Sequence, residues 1–280
     1  MPQEGEGRAG FARVGGERVA SGVSTDTSTS RLRVRESFDA GVPALVHPGW
    51  REAFPWLVQG TTTRGASGRE LDLGLFSGGS PEPVVRKNWD RLLAATAMTT
   101  AVHARQLHET EVLVYEERRD GLRLVQPCDG HATDRAGVLL TVSIADCVPV
   151  FAVAAESRAV AALHAGWRGA AAGVLERGLA VLAERSGESV GALHVHLGPA
   201  ICGRCYEVGP EVFAALGQPS QRAPRPIDLR AVLGARALEC GVDRTRLTTS
   251  THCTLCTGSA LFSHRGGDRE RQVGYIGVRG

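Results

Sequence analysis

Two imidazoles and one thiol stand at the edges of apolar runs in this chain. His108 lies in Arg105-Gln106-Leu107-His108, Cys147 in Ala145-Asp146-Cys147-Val148-Pro149, and His164 in His164-Ala165-Gly166-Trp167-Arg168-Gly169. Apolar runs of this length read as strands, and strand ends are where side chains from a rigid scaffold converge on a cleft. Two His and one Cys are donors that zinc favours, and three protein ligands leave the fourth tetrahedral position open to water or substrate. Water in such a position has a pKa near ~7 and becomes a nucleophile at neutral pH. The same residues support a second chemistry, with Cys147 as nucleophile, His164 as base, and Asp146 or another acid orienting the imidazole. Both chemistries need a deprotonated sulfur, so spacing does not separate them. Three unrelated packing residues are the competing reading, since buried Cys and hydrogen-bonded His are common in cores.

The other cysteines make a second pattern. Cys202-x-x-Cys205 and Cys253-x-x-Cys256 are two pairs of the kind that builds a four-thiolate structural zinc, although their separation is long for a zinc ribbon. Free thiols and a disulfide are the alternatives, the disulfide being disfavoured in a reducing cytosol. Cys128 and Cys240 read as packing residues. His194 and His196 alternate and so share one strand face, as a solvated face or as ligands to a further metal.

Rigid elements must end at these positions. Short apolar runs over 56–62, 112–115, 137–144, 148–154, 159–164 and 193–197 predict buried strands. Helical spacing predicts helices over 83–97, 169–185 and 228–240, the last with Asp228 as N-cap and Gly241 as stop. Strands and helices without regular alternation indicate a mixed-sheet α/β or α+β fold. Residues 1–36 are rich in Gly, Ser, Thr, Arg and Glu and predict a flexible tail, leaving 37–280 as one domain.

The 32 basic and 30 acidic residues give a net charge of +2, which marks no nucleic-acid or membrane-surface partner. The longest apolar stretch, over 137–153, is interrupted by Asp146 and is too short to span a bilayer. The N-terminal residues lack the apolar middle of a secretory signal, so a cytoplasmic protein is expected.

The chemical segments also resemble a known family. Ala-Asp-Cys-Val-Pro-Val at 145–150, His-Ala-Gly-Trp-Arg-Gly at 164–169 and Gly-Pro-Ala-Ile-Cys at 198–202 carry the likeness. It continues in Tyr206-Glu207-Val208-Gly209, Cys253-Thr254 and Phe262-Ser263-His264-Arg265. From about Trp56 to the C-terminus the chain resembles the bacterial purine nucleoside phosphorylases, also called the laccase-domain or multicopper polyphenol oxidoreductase family. The resemblance implies an α+β (mixed α/β) fold of two mixed β-sheets packed together with flanking helices in a single domain. It implies a catalytic zinc held by His108, Cys147 and His164. It also implies phosphorolysis of adenosine, inosine, guanosine and methylthioadenosine, together with adenosine deamination.

Phosphate then needs cations. Arg64, in Thr62-Thr63-Arg64-Gly65, and Arg168 are the candidates, because a guanidinium fork matches phosphate oxygens. A structural pairing with a carboxylate is the alternative for each. Asp129, in a segment resembling the family's Asp-Ala-x-x-Thr, and Asp146, beside the thiolate, are candidate general acids or orienting partners of a ligand histidine. For Asp146 the orienting role is the expectation. Three positions depart from the family pattern: Glu109 for Gly, Asp72 for Asn, and Glu270-Arg271 for Gly-Arg.

Other function classes remain open at this level. A copper-dependent polyphenol oxidase needs more clustered histidine than nine His in the chain readily provide. A metal-free hydrolase would use Cys147 and His164. A zinc-stabilised binding protein would show no turnover. Monomer or weak homodimer is the default assembly.

Overall fold

The computed structural model describes residues 33–39, 41–66, 68 and 70–280. Residues 1–32 of the expected tail lie outside the described residues. Two seven-stranded sheets form the frame. The first runs in the order β1 (Arg33–Val34), β15 (Leu247–Ser250), β12 (His194–Leu197), β10 (Val148–Ala154), β11 (Ala159–Ala165), β8 (Gly130–Thr133), β6 (Val112–Val114). The second runs β2 (Ser37–Asp39), β3 (Ala44–Val46), β4 (Leu57–Thr62), β16 (Gln272–Val278), β9 (Val138–Ile144), β5 (Thr100–Ala104), β7 (Gly121–Val125). Both are mixed: β10 and β11 are antiparallel where β12 and β15 are parallel, and β5 lies parallel to β9 where β16 is antiparallel to it. A two-stranded ribbon of β13 (Glu207–Val208) and β14 (Arg225–Pro226) stands apart.

Six helices among the described residues cover these sheets: α1 (Pro48–Ala53), α2 (Glu82–Thr96), α3 (Trp167–Ala172), α4 (Val174–Ser186), α5 (Pro210–Ala215) and α6 (Leu229–Glu239). The central strands are continuous apolar runs because both of their faces are buried. Alternation along β10 sends Val148, Val150 and Ala152 to a core under α4 and α6, and Phe151 and Val153 to a core between the sheets. Along β9 and β16, Leu139, Val273 and Tyr275 face a third core under α2, which adds Trp89 and Leu92. The period of two therefore builds four layers, helix, sheet, sheet, helix. Each fully buried Leu or Phe contributes roughly 1.5–3 kcal/mol.

The six strands expected from apolar runs are all present, and the architecture is α+β with two packed mixed sheets. Asp228 caps α6 by accepting from the Arg230 N–H at 3.0 Å, and Gly241 follows the helix at φ +96°. Three expectations are corrected. The single helix over 169–185 is two helices, because Gly173 at φ +99° ends α3 and starts α4. The tail boundary at residue 36 lies too late. Arg33–Val34 pairs with β15, and the buried Glu36 carboxylate accepts from His196 Nε2 at 3.0 Å and Ser250 Oγ at 2.9 Å. His196 is thus neither on a solvated face nor a metal ligand, and His194 Nε2 accepts from Arg246 at 3.2 Å. No helix among the described residues is long and apolar enough to cross a membrane.

Candidate metal centre

The chain passes between the two sheets at two places that matter. It leaves β5 in the second sheet and enters β6 in the first through a loop containing His108. It leaves β9 in the second and enters β10 in the first through a tight turn containing Cys147. His164 is the penultimate residue of β11, and Pro149 of β10 lies opposite it. The three side chains therefore meet at one end of the seam between the sheets.

One donor atom from each, on His108, Cys147 and His164, lies within 4.8 Å of the other two. Cys147 Sγ is 3.8 Å from His108 Nε2, and the two imidazole rings stand 4.7 Å apart, nearly perpendicular. Gly166 is the only residue type that fits beside them. A Cβ there would meet His108 Cδ2 at 2.5 Å and Cys147 Sγ at 3.0 Å.

Two of the turns hold non-glycine residues in the left-handed region, His108 at φ +62° and Asp146 at φ +91°. Such conformations persist only where their surroundings over-determine them. At His108 the agent is Asp129. Its carboxylate accepts the backbone N–H of Leu107, His108 and Glu109 at 3.0, 2.9 and 2.9 Å. The same carboxylate meets His164 Nδ1 at 2.8 Å. A carboxylate only accepts, so Nδ1 donates and Nε2 keeps its lone pair for a metal. Burial alone would raise Asp129, but these donors hold it below the usual carboxylate range.

Asp146 does something other than orient a ligand histidine. Its Oδ1 accepts from Thr254 Oγ1 at 2.5 Å and Ser263 Oγ at 2.7 Å, and its Oδ2 from the Arg265 N–H at 2.7 Å. The residue before the thiol thereby ties the 253–265 loops to the centre. The histidine-orienting function belongs to Asp129. Both carboxylates are engaged as acceptors from several donors.

Charges at the centre are matched. Burial pushes the Cys147 thiol up, but the His164 charge and hydrogen bonds from both histidines bring it to about 6. Burial pushes His164 down, but the Cys147 charge and Asp129 raise it to about 9. Without a metal the pair is a thiolate beside an imidazolium.

The centre opens on a cleft of about 590 Å³ that also contains Arg168, Tyr206, His264, Arg265 and Arg271. Arg168 is exposed and lies over the Trp167 ring at 4.3 Å, and Arg265 over the Tyr206 ring at 5.4 Å. Burial and the Cys147 charge lift the Tyr206 phenol to about 12, so it stays neutral. Arg64 does not line this cleft. Its fork grips the Asp268 carboxylate, its Nε donates to Leu261 O at 2.7 Å, and its guanidinium covers Phe262. It is a strut between loops, and the structure does not bring it to the cleft with Arg168.

Tyr206, His264 and Arg265 lie in segments that carried the resemblance and Arg271 in one of its departures, but which way they face is set by loop geometry. The departure at Asp72 also has a physical account. Its carboxylate accepts from Gly74, Ser80 and Arg271 backbone N–H groups at 2.9, 2.7 and 2.9 Å, an all-acceptor environment that Asp serves fully.

Comparison with known proteins follows the same segments. A family model described as multi-copper polyphenol oxidoreductase laccase matches residues 57–279. A protein named purine nucleoside phosphorylase from Xylella fastidiosa strain Temecula1 is 34% identical over 219 residues, covering 73% of this chain and 82% of its own length. Adenosine deaminase RL5, from an unknown prokaryotic organism, is 34% identical over 183 residues, covering 59% of this chain and 69% of its own. The crystal structure of YlmD from Geobacillus stearothermophilus superposes with a TM-score of 0.80 at 28% identity, covering 88% of this chain and 100% of that one.

Proposed function

The chain belongs to the multi-copper polyphenol oxidoreductase laccase family, and on that premise we propose that it is a zinc-dependent purine nucleoside phosphorylase that also deaminates adenosine. The observation that carries this reading is a His2Cys donor set facing an arginine-rimmed, aromatic-walled cleft. The cleft volume falls within the ~300–1,000 Å³ usual for small-molecule sites. The donors fit zinc in type and number, with His164 Nε2 left free by the bond to Asp129. His108, Cys147 and His164 would hold the zinc, which when bound would supply Lewis acidity and a water with a pKa near ~7.

The chain's own residues provide the rest. Asp129 fixes the His164 ring and the His108 loop, and Asp146 holds the opposite wall; both are positioning residues. Arg168 and Arg271 present positive charge to an anionic co-substrate in the cleft. Trp167 and Tyr206 offer flat faces to a purine. The neutral Tyr206 phenol can donate a hydrogen bond to a departing base. Adenosine, inosine, guanosine and methylthioadenosine are the substrates to test.

The test is base release from adenosine, with and without phosphate, by wild type and His164→Ala, with metal content measured on the same preparations. Phosphate-dependent adenine release that disappears in the variant, together with one zinc equivalent, is expected. No base release in any condition would sink the reading, and phosphate-independent inosine formation would make deamination the principal activity.

A second reading rests on the thiolate–imidazolium pair, which is the form a Cys147–His164 hydrolase needs. Activity that survives chelation but not alkylation of Cys147 would favour it. The polyphenol oxidase reading has less behind it. Among the described residues, the only other group of possible ligands close enough to hold a metal is made of cysteines, where a multi-copper site needs clustered histidines.

A further inference from the structure

The four cysteines of the two C-x-x-C pairs converge away from the cleft's reacting centre. β12 and β15 are parallel neighbours, with Leu197 opposite Thr249, so the loops that follow them emerge side by side. Cys202 and Cys205 lie in the first loop and Cys253 and Cys256 in the second, and a bridge between Ala200 and Cys253 keeps the loops in step. Parallel pairing thus brings together two pairs that are remote in sequence.

All four sulfurs lie within 4.8 Å of one another. Cys256 Sγ is 3.8 Å from Cys202 Sγ and 3.7 Å from Cys205 Sγ. Sulfurs bound at ~2.3 Å to one tetrahedral ion stand ~3.8 Å apart, whereas a disulfide requires ~2.05 Å. None of the four is disulfide-bonded. Backbone N–H groups are aimed at the sulfur of Cys253, from Cys202 at 3.2 Å and from Leu255 at 3.4 Å. Donors of this kind stabilise a thiolate that has given its proton up to a metal. Arg204 stands against the sulfurs of Cys202 and Cys256, placing positive charge beside what would be an anionic cluster.

We propose that Cys202, Cys205, Cys253 and Cys256 bind one zinc ion as a closed tetrathiolate, separate from the His108–Cys147–His164 centre. Each thiol loses its proton to solvent as its S–Zn bond forms, and no oxidation state changes. Four soft donors leave no open position, so the ion is structural, and they select zinc over hard divalent cations. The ion joins the two loops that build one wall of the cleft. Tyr206 directly follows Cys205, and Thr254, between the second pair, donates to Asp146 next to Cys147.

The experiment is elemental analysis of the full chain purified under reducing conditions, for wild type, His164→Ala, Cys256→Ser and the double variant. About two zinc ions per wild-type chain are expected, about one in each single variant and none in the double. The tetrathiolate count does not depend on the proposed activity, because it is read in the His164→Ala background. Should Cys256→Ser fail to fold, wild type and His164→Ala reconstituted with cobalt(II) give the same answer. Both should show the intense visible bands and sulfur charge-transfer of a tetrathiolate. A single zinc that is lost wholly with His164, iron in place of zinc, or Cys202–Cys205 and Cys253–Cys256 disulfides in unreduced peptide maps would each overturn the assignment.

Discussion

Asp129 accepts four hydrogen bonds, one from a ligand imidazole and three from the backbone around the other ligand histidine. Replacing it with Asn turns one acceptor into a donor and leaves buried N–H groups unpaired, at about 1–3 kcal/mol. Asp129→Asn should lower stability by that order and weaken zinc binding by ~10–100-fold, as read by chelator competition. The two arginines separate a binding role from a structural one. Arg168→Met should raise the KM for phosphate by ~10-fold or more, matching ~1.5 kcal/mol for a charge-assisted bond, with the melting temperature unchanged. Arg64→Met should do the reverse, lowering thermal stability through the lost Asp268 pair and leaving the KM for phosphate alone. At this scale the grouping of His108, Cys147 and His164 was legible, because their short motifs pair a reactive residue with strand-edge apolar residues. Which aspartate turns toward a histidine, and which arginine turns toward the cleft, depends on turns at positive φ that no local pattern encodes.

Among the elements, strands buried on both faces were the easiest to read, and β10 and β11 lie where their apolar runs place them. β16 escaped for an identifiable reason. Gly274 and Gly277 interrupt its apolar pattern, yet both are required by close packing. A Cβ on Gly274 would meet Phe151 Cζ at 2.9 Å, and one on Gly277 would meet Val138 O at 2.4 Å. The residues that weaken this strand's signal are those that let its neighbours approach, the other sheet at Gly274 and β9 of the same sheet at Gly277. The same logic gives a test at Gly166, where the strand–helix junction after β11 passes against the ligands. Gly166→Ala should fold with a near-native spectrum but lose the zinc that depends on His164, since its Cβ would displace His108 and Cys147. Wild-type metal content in that variant would contradict the packing account.

The whole molecule buries several histidines in neutral form. Burial holds His47 and His103 at about 3 and His131 at about 4. An unfolded chain protonates these groups near 6.5, so below that pH it binds more protons than the folded one. Their contribution to stability is therefore full above pH 6.5 and is lost as pH falls toward the folded values of about 4 for His131 and about 3 for His47 and His103. Glu36 extends the loss further. Although its burial opposes ionisation, the His196 and Ser250 bonds keep its pKa depressed, so its contribution disappears as pH drops below the ordinary carboxylate value. The urea midpoint should decline from about pH 6.5 downward, and Glu36→Gln should flatten only the lowest part of that decline. This contribution was invisible in the sequence, where Glu36 sits at the edge of a polar segment and its partners lie on β12 and β15.

The position of β16 carries one more consequence. It is the last strand in chain order, yet it lies in the interior of the second sheet between β4 and β9. A ribosome making this protein releases β4 and β9 long before the strand that joins them. Until then the nascent chain presents two unpaired apolar edges, the kind of surface that chaperones hold and that aggregates grow from. The Cys147 turn leaves directly from β9, so its settling beside the two histidines waits on the same late insertion. On the proposed reading, metal would be taken up only once β16 stands between β4 and β9.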